Sequence, residues 1–405
     1  MALQPSDPRI LDWLPEELAS LPFGSPEFKE ANARLAQEDE VALRPIARGM
    51  PTWINLTGTT ICNLKCFMCN QFLDPDIPKW IMKDEVYDRV VAELYPFAKT
   101  VQFSAFGEPL MTPGMEDKLD DLERTNTKLE MVSNATLMMK ESRFREKLLK
   151  TLELVTFSID GATRDTYNSV RTGAEFNEVI DNITRFAEAR MAMPAEKRPK
   201  MNFNFIMMKR TVPEAPRFVE LVKQLGGDHI VFNHLVAFHP SLKGESLTEH
   251  KAFANEHMDA TRQAAAELGV SIALPENFQL GDDEGAGAPA VAVAEAPAES
   301  AASAEEPAAP RRRSPGKPPI RCWFLWNRVY IGTKGEVVPC CVAGMPFFGN
   351  LEGQPSFREL WNGETYQTYR SRVFTENPYG GCAKCYLIYP NLEQIEEDGY
   401  LKYDE

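Results

Sequence analysis

Nothing in the 405-residue chain approaches eighteen uninterrupted apolar residues, which excludes a membrane-spanning helix. The opening stretch MALQPSDPRILDWLPEELASL lacks the basic segment and apolar core of a secretory signal, so export is not expected. Positive charge is in deficit: 44 Lys and Arg against 59 Asp and Glu leave a net charge of −15 and a pI near 5.0. Such a chain is a poor ligand for phosphate backbones, and no nucleic-acid partner is expected. Histidine is scarce, five in all, and the first, His229, stands far downstream of the first cysteines. Cysteine is scarce too, yet unevenly placed: three of the eight fall within CNLKCFMC, residues 62–69. Clustered thiols without an export signal indicate a reducing, cytoplasmic setting and metal ligation rather than a disulfide framework. What remains is ordinary. A content of 43% apolar residues suffices for a core, and the length suggests two or three domains.

Three cysteines in the spacing C-x3-C-x2-C leave one thiol over whichever pair is drawn, which argues for metal. A closed zinc site needs four protein ligands, and neither a His nor a fourth Cys is near. Thiolates select zinc or an iron-sulfur cluster. Three of them leave one coordination position open, so the spacing favours a cluster with one iron exposed to a small molecule.

Beyond this loop, β-rich runs at 52–58, 100–106, 129–134, 153–160, 201–208 and 229–238 alternate with helical patterns at 84–98, 114–125, 142–152, 176–191 and 215–226. Strands alternating with helices predict an α/β fold, a parallel sheet with right-handed crossovers, whose active site sits at the C-terminal strand ends. Cys62 follows the first strand by a few residues, where that rule would put it. A further long helix is expected at 245–269, and VSIALP closes this unit near residue 275. Residues 281–313 are rich in Ala, Pro and Glu without aromatics or periodicity, and read as a mostly disordered linker ending in Arg311, Arg312 and Arg313. The division expected is 1–50, an N-terminal helical extension; 51–275, the α/β unit; 276–318, the linker; and 319–405, a small C-terminal β-hairpin/helix domain.

The last segment holds the other five cysteines. Cys322 is followed by twelve residues, Gly335, four residues and Cys340, with a hairpin whose turn spans 333–335; Cys382 and Cys385 form a C-x2-C knuckle. Four thiolates saturate a zinc ion or an iron-sulfur cubane, and the chemistry alone leaves the two even.

A C-x3-C-x2-C loop shortly after a strand resembles the radical S-adenosylmethionine (SAM) superfamily, although Met68 stands where an aromatic is common before the third Cys. The resemblance implies a partial (β/α)6 TIM-like barrel in which Cys62, Cys66 and Cys69 hold a [4Fe-4S] cluster. Its free iron would be chelated by SAM, which an electron cleaves to a 5′-deoxyadenosyl radical that takes hydrogen from substrate. Gly107, Glu108 and Pro109 resemble the family's G-E-P motif at the SAM ammonium, with Phe106 in place of a more usual glycine. Ser133 and Asn134, and Ser158 and Asp160, resemble positions that meet the SAM carboxylate or ribose. Lys209 and Arg210 end a strand where a cation could pair the SAM carboxylate or, for Lys209, accept a substrate proton. His229, His234 and His239 recur at intervals of five, on no single strand face, so a metal trio is not expected. His234 or Asn233 could touch adenine or substrate.

The C-x12-G-x4-C plus C-x2-C pattern looks like the family's SPASM domain in its short "twitch" form, which implies an auxiliary [4Fe-4S] cluster on Cys322, Cys340, Cys382 and Cys385. The stretch FFGNLEGQPSFRELWNGETYQTYRSRV (347–373) also resembles that region, and predicts a helix from Ser356 into the early 370s with Trp361 as core. Cys341 is left over. Adjacent residues of an extended chain face opposite ways, so Cys341 either packs or acts as a hydrogen donor to a substrate radical. Enzymes of this layout include dehydrogenases and epimerases, so oxidation or epimerisation of a sugar, aminocyclitol or related polyol is expected, with a flavodoxin or ferredoxin as electron donor. A ribosomal-peptide maturase ranks second. It would want more than 50 residues before the first strand and two more SPASM cysteines (7 − 5) than the five present. A non-catalytic iron-sulfur or zinc scaffold ranks third.

Overall fold

The computed structural model describes residues 13–74, 76–103, 106–139, 142–280, 322–341, 345–353, 356–375, 382 and 385. Most of the expected linker falls outside the described residues. In chain order the strands are β1 (Trp53–Leu56), β2 (Thr100–Phe103), β3 (Lys128–Ser133), β4 (Leu152–Ser158), β5 (Lys200–Met207), β6 (His229–His234), β7 (Ile272–Ala273), β8 (Arg328–Ile331), β9 (Glu336–Val338) and β10 (Gly349–Asn350). The helices are α1 (Glu16–Ala19), α2 (Pro26–Val41), α3 (Asn70–Leu73), α4 (Asp84–Glu93), α5 (Met115–Arg124), α6 (Ser142–Thr151), α7 (Arg164–Val170), α8 (Phe176–Met191), α9 (Ala215–Gln224), α10 (Lys251–Leu268), α11 (Phe324–Asn327), α12 (Phe357–Trp361) and α13 (Glu364–Arg372).

From β1 to β7 the strands lie side by side in sequence order, every neighbouring pair parallel. Right-handed crossovers then put the connecting helices on one face. The six expected strands are present, and VSIALP, expected only to close the unit, supplies β7. Strand β5 shows why the sheet has two unlike faces. Met201, Phe203, Phe205 and Met207 are buried, while Asn202, Asn204 and Ile206 between them are half-exposed. The buried row meshes with Phe218 of α9 and Phe232 of β6, the Phe205 and Phe218 rings lying 4.8 Å apart. That face is the core, and the opposite one is the polar lumen of the partial barrel.

Three helices differ from the sequence reading, each for a local reason. The long helix begins at Lys251, not 245, because Ser246 caps a separate 3-10 turn, Leu247–Glu249, by accepting the Thr248 N–H. The helix expected from Ser356 onward is two: Ser356 caps α12 through the Glu359 N–H, and the chain breaks at Asn362, whose side chain exchanges hydrogen bonds of 2.9 and 3.0 Å with the Ala47 backbone. Helix α7, capped by Thr163, interrupts the segment after β4 that carried no strong periodicity.

The C-terminal hairpin joins the barrel's own sheet. Strand β8 runs parallel to β1, with Trp53 opposite Arg328 and Leu56 opposite Ile331, and β9 and β10 follow antiparallel, giving a sheet of ten strands among the described residues. The segment before β1 is knotted to the C-terminal helices as well. Trp326 and Trp361, both fully buried, donate to the carbonyls of Arg44 and Gly49. Arg370, 1% exposed, donates to the carbonyls of Leu325 and Pro45, with its guanidinium over the Trp361 ring. Trp361 is core, as expected: its ring lies among Phe357, Tyr366 and Arg370, and its indole N–H is satisfied by Gly49 of the N-terminal extension.

One core residue of that extension is out of place by type. Lys29 on α2 is 2% exposed and donates to Thr127 Oγ1 at 2.7 Å, and burial lowers its pKa to about 7. Between pH 7 and 10.5 the unfolded chain then binds more protons than the folded one, so stability rises with pH through that window. Lys29→Met removes the penalty while Thr127 keeps its hydrogen bond to Thr125. Chemical denaturation at pH 7 and pH 10 is expected to show the variant more stable at pH 7 by a few kcal/mol, with a flatter pH dependence than the wild type.

Candidate functional site

The loop leaving β1 carries Cys62, Cys66 and Cys69 to the C-terminal end of the sheet. It is clamped from outside by the end of α7 and the residues after it: Lys65 N–H donates to Thr172 O and Phe67 N–H to Val170 O, both at 2.8 Å. Cys69 N–H closes a turn onto Cys66 O, and α3 starts directly afterwards. Donors point at two of the sulfurs. Leu64 N–H lies 3.4 Å and Asn134 Nδ2 3.9 Å from Cys62 Sγ, and Arg171 Nη1 is 3.6 Å from Cys66 Sγ. Burial raises the Cys62 and Cys66 thiols; at Cys62 the Cys66 and Cys69 thiolates add to the rise, and at Cys66 Arg171 opposes it while Asp160 and Cys69 add to it. Three thiols that repel one another once ionised need a cationic centre to hold them, so the donor set fits a cluster. Among the described residues no three His, Cys, Asp or Glu side chains converge on one ion-sized point. A cubane needs no such convergence, because each thiolate binds its own iron.

The neighbouring strand ends close on this loop. Gly107, with φ of 79°, lies so near it that an added Cβ would meet Ile61 O at 2.6 Å, and Glu108 N–H donates to the same carbonyl. The preceding position tolerates bulk: Phe106 is 44% exposed. Glu108, 2% exposed, turns its carboxylate inward, accepting Ser133 Oγ–H at 2.8 Å and Asn134 N–H at 2.9 Å, while Pro109 starts a 3-10 turn. Burial raises its pKa and those donors oppose the rise. Asn134 also reaches Asn63 Oδ1 at 2.9 Å. Glu108, Ser133 and Asn134 thus form one buried unit beside Cys62.

Ser158 is buried at the end of β4, and Asp160 just beyond is fully buried. The Asp160 carboxylate takes Ile206 N–H at 2.7 Å on one oxygen and Arg171 Nε–H at 2.6 Å on the other. Burial pushes its pKa up, and Arg171 pulls it back. For Arg171, burial would lower the pKa, but Asp160 and Cys66 more than offset it and hold the guanidinium charged. Arg171 was not singled out from the sequence.

The two expected cations are placed differently. Arg210 pairs with Glu245 at 2.6 and 2.7 Å and stacks over the Phe67 ring of the cysteine loop at 4.1 Å; Lys209 is exposed, its N–H bound to Glu245 O. The histidines have separate partners: His229 meets Ser271, His239 meets Ser241, and His234 meets the Phe278 ring, its pKa lowered to about 4 by burial.

Below the loop, the lumen is lined by polar side chains. Asn55 Nδ2 donates to Gln102 Oε1 at 3.0 Å, Trp53 Nε1 to Glu130 Oε2 at 3.1 Å, and Asn233 Nδ2 to Asn204 Oδ1 at 2.6 Å. Burial raises the Glu130 carboxyl. From β8, Arg328 lies 3.9 Å over the Trp53 ring and also covers Trp323, next to Cys322. Burial first, then the neighbouring Cys341, raise the Tyr330 phenol, and Arg328 opposes the rise. Cys340 instead lies beside Tyr366, so the adjacent thiols have different surroundings, with Cys341 the exposed one. Cys382 lies within electrostatic reach of Cys322 and Cys385, and burial first, then those neighbours, raise it to about 12; Cys322 is raised to about 11.

Two family models match the chain: the radical SAM superfamily over residues 56–194, and SPASM, an iron-sulfur cluster-binding domain, over 322–386. A probable GTP 3',8-cyclase of Saccharolobus islandicus (strain Y.N.15.51 / Yellowstone #2) is 22% identical over 202 residues, covering 49% of this chain and 60% of its own length. A Pyrococcus furiosus protein, the tungsten-containing aldehyde ferredoxin oxidoreductase cofactor-modifying protein, is 24% identical over 197 residues, covering 46% and 52%. The chain thus spans about 60% of the length of the first of these relatives. Among solved structures, SuiB of Streptococcus suis bound to its precursor peptide SuiA superposes with a TM-score of 0.55 at 13% identity, over 89% of this chain and 76% of that one. The AdoMet-bound anSMEcpe gives 0.51 at 16%, over 86% and 96%. These likenesses carry the fold alone. With one model over the barrel loop and its flanking strands, and the other over the C-terminal thiols, the chain belongs to the radical SAM superfamily, with SAM, a SAM-binding [4Fe-4S] cluster and auxiliary cluster ligation in its C-terminal SPASM domain.

Proposed function

We propose that Cys62, Cys66 and Cys69 hold the SAM-binding cluster, that Cys322, Cys340, Cys382 and Cys385 hold the auxiliary one, and that the lumen takes a sugar, aminocyclitol or related polyol to be oxidised or epimerised. When bound, the cluster and SAM supply a 5′-deoxyadenosyl radical, which removes a hydrogen atom from the substrate. The observation that carries the substrate class is the lumen wall. Asn55, Gln102, Thr156, Asn202, Asn204 and Asn233 share the inward face, and amides and hydroxyls both donate to and accept from substrate hydroxyls. Gly107, Pro109, Ser133, Asn134, Ser158 and Asp160 edge the SAM side, and the Glu108 carboxylate orders Ser133 and Asn134 among them. A flavodoxin or ferredoxin serves as donor.

Cys341 separates the two reactions. In an epimerase its S–H bond breaks as a new C–H bond forms on the substrate radical, and the thiyl left behind takes one electron and one proton from the donor system. Cys341 is the exposed thiol of its pair, on the chain that follows β9, and lies within electrostatic reach of Tyr330. A ribosomal-peptide maturase is the second reading, supported by the fold shared with SuiB, whose structure holds a precursor peptide.

Replacing Cys62, Cys66 and Cys69 together by Ala is expected to lower iron from about eight to about four per chain. The same variant should form no 5′-deoxyadenosine with dithionite; continued formation rules the assignment out. In deuterated water with a metabolite pool, the wild type is expected to label a polyol product rather than a peptide. Cys341→Ala should stop solvent label entering an epimerised carbon while 5′-deoxyadenosine still forms. Unchanged product stereochemistry would leave Cys341 as packing.

A further inference from the structure

Arg171 makes two kinds of contact at once. Asp160, buried and fixed by the Ile206 N–H, takes Nε and Nη2 of the guanidinium at 2.6 and 2.5 Å, and this leaves Nη1 aimed at Cys66 Sγ, 3.6 Å away. One helical turn earlier, Tyr167 is fully buried, and its hydroxyl has no hydrogen-bond partner among the described residues. Cys66, Asp160 and Arg171 all lie within its electrostatic reach. A buried hydroxyl without a partner costs about 1–3 kcal/mol. A thiolate accepts hydrogen bonds far better than a thiol does, so ionisation of Cys66 on ligating iron creates the acceptor that this hydroxyl lacks.

We propose that Arg171, oriented by Asp160, sets the reduction potential of the cluster held at Cys66, with the Tyr167 hydroxyl as a second donor to the same thiolate. The proposal rests on the assignment of Cys62, Cys66 and Cys69 as ligands. Reduction adds one negative charge to a cluster already surrounded by thiolates. A hydrogen bond to a ligating sulfur and a fixed positive charge beside it both stabilise that added charge, and so raise the potential. Arg171 is in this sense a positioning residue that acts through Cys66.

Full-length wild type, Arg171→Gln, Arg171→Lys and Tyr167→Phe are reconstituted anaerobically and titrated by EPR without SAM. The signal that changes when SAM is then added identifies the three-cysteine cluster. Iron content and SAM affinity, by equilibrium dialysis, are measured on the same samples. In Arg171→Gln, at the wild-type midpoint, the ratio of reduced to oxidised cluster is expected to fall about tenfold, a shift of ~59 mV for a one-electron couple. Tyr167→Phe should move the midpoint the same way by less, and Arg171→Lys should recover part of the loss. Midpoints unchanged in Arg171→Gln and Tyr167→Phe, with iron retained, overturn the proposal even if SAM affinity falls, because the guanidinium would then serve only SAM or the loop. If Arg171→Gln loses its iron, Tyr167→Phe decides alone. A wild-type chain with no SAM-responsive signal is a different failure, that of the cluster assignment itself.

Discussion

The parallel pairing of β8 with β1 is the contact on which the rest of the molecule depends. A singly wound parallel sheet of seven strands leaves the edge of β1 bare, and a bare edge is an invitation to pair with another chain. Here the edge is covered by a segment more than 250 residues away in sequence, joined through four residues on each side. Because the cysteine loop grows directly out of β1, and Cys322 and Cys340 flank the β8–β9 hairpin, the two thiol groups are carried by neighbouring strands of one sheet.

That covering strand needs support from behind, and the residues before β1 supply it. Trp326 hydrogen-bonds Arg44, Trp361 bonds Gly49, and Arg370 reaches Pro45 while lying over Trp361. The N-terminal extension is therefore tied to both halves: its last residues bond the C-terminal helices, while Phe28 of α2 packs its ring against Phe97 of the barrel.

How much of this the sequence shows follows from how local each signal is. The C-x3-C-x2-C loop, the G-E-P turn and the alternation of β5 lie within a few residues each, and were legible. Arg171 was not, because its partner Cys66 is 105 residues away and nothing in S-V-R-T-G distinguishes a buried guanidinium from a solvated one. Glu130 was hidden by a rule that works for open sheets. In K-L-E-M-V-S, charged residues alternate with apolar ones, which reads as a solvent face, whereas in a partial barrel that face is the lumen. Nothing local marks Arg328 either, since its aromatic partner Trp53 lies 275 residues away on β1. Helix α12 ended early because Asn362 found backbone partners at Ala47, a tertiary contact that no propensity contains.

Arg328 stacks on Trp53, and Trp53 holds Glu130, so a single chain of contacts crosses the floor of the lumen from β8 to β3. Occupancy of the lumen and attachment of the C-terminal segment are thereby thermodynamically linked. A ligand that recognises the floor only when β8 is docked stabilises the docking by its own binding free energy, about 2.7 kcal/mol at a hundredfold excess over its Kd. By reciprocity, anything that loosens the hairpin weakens the grip on whatever fills the barrel.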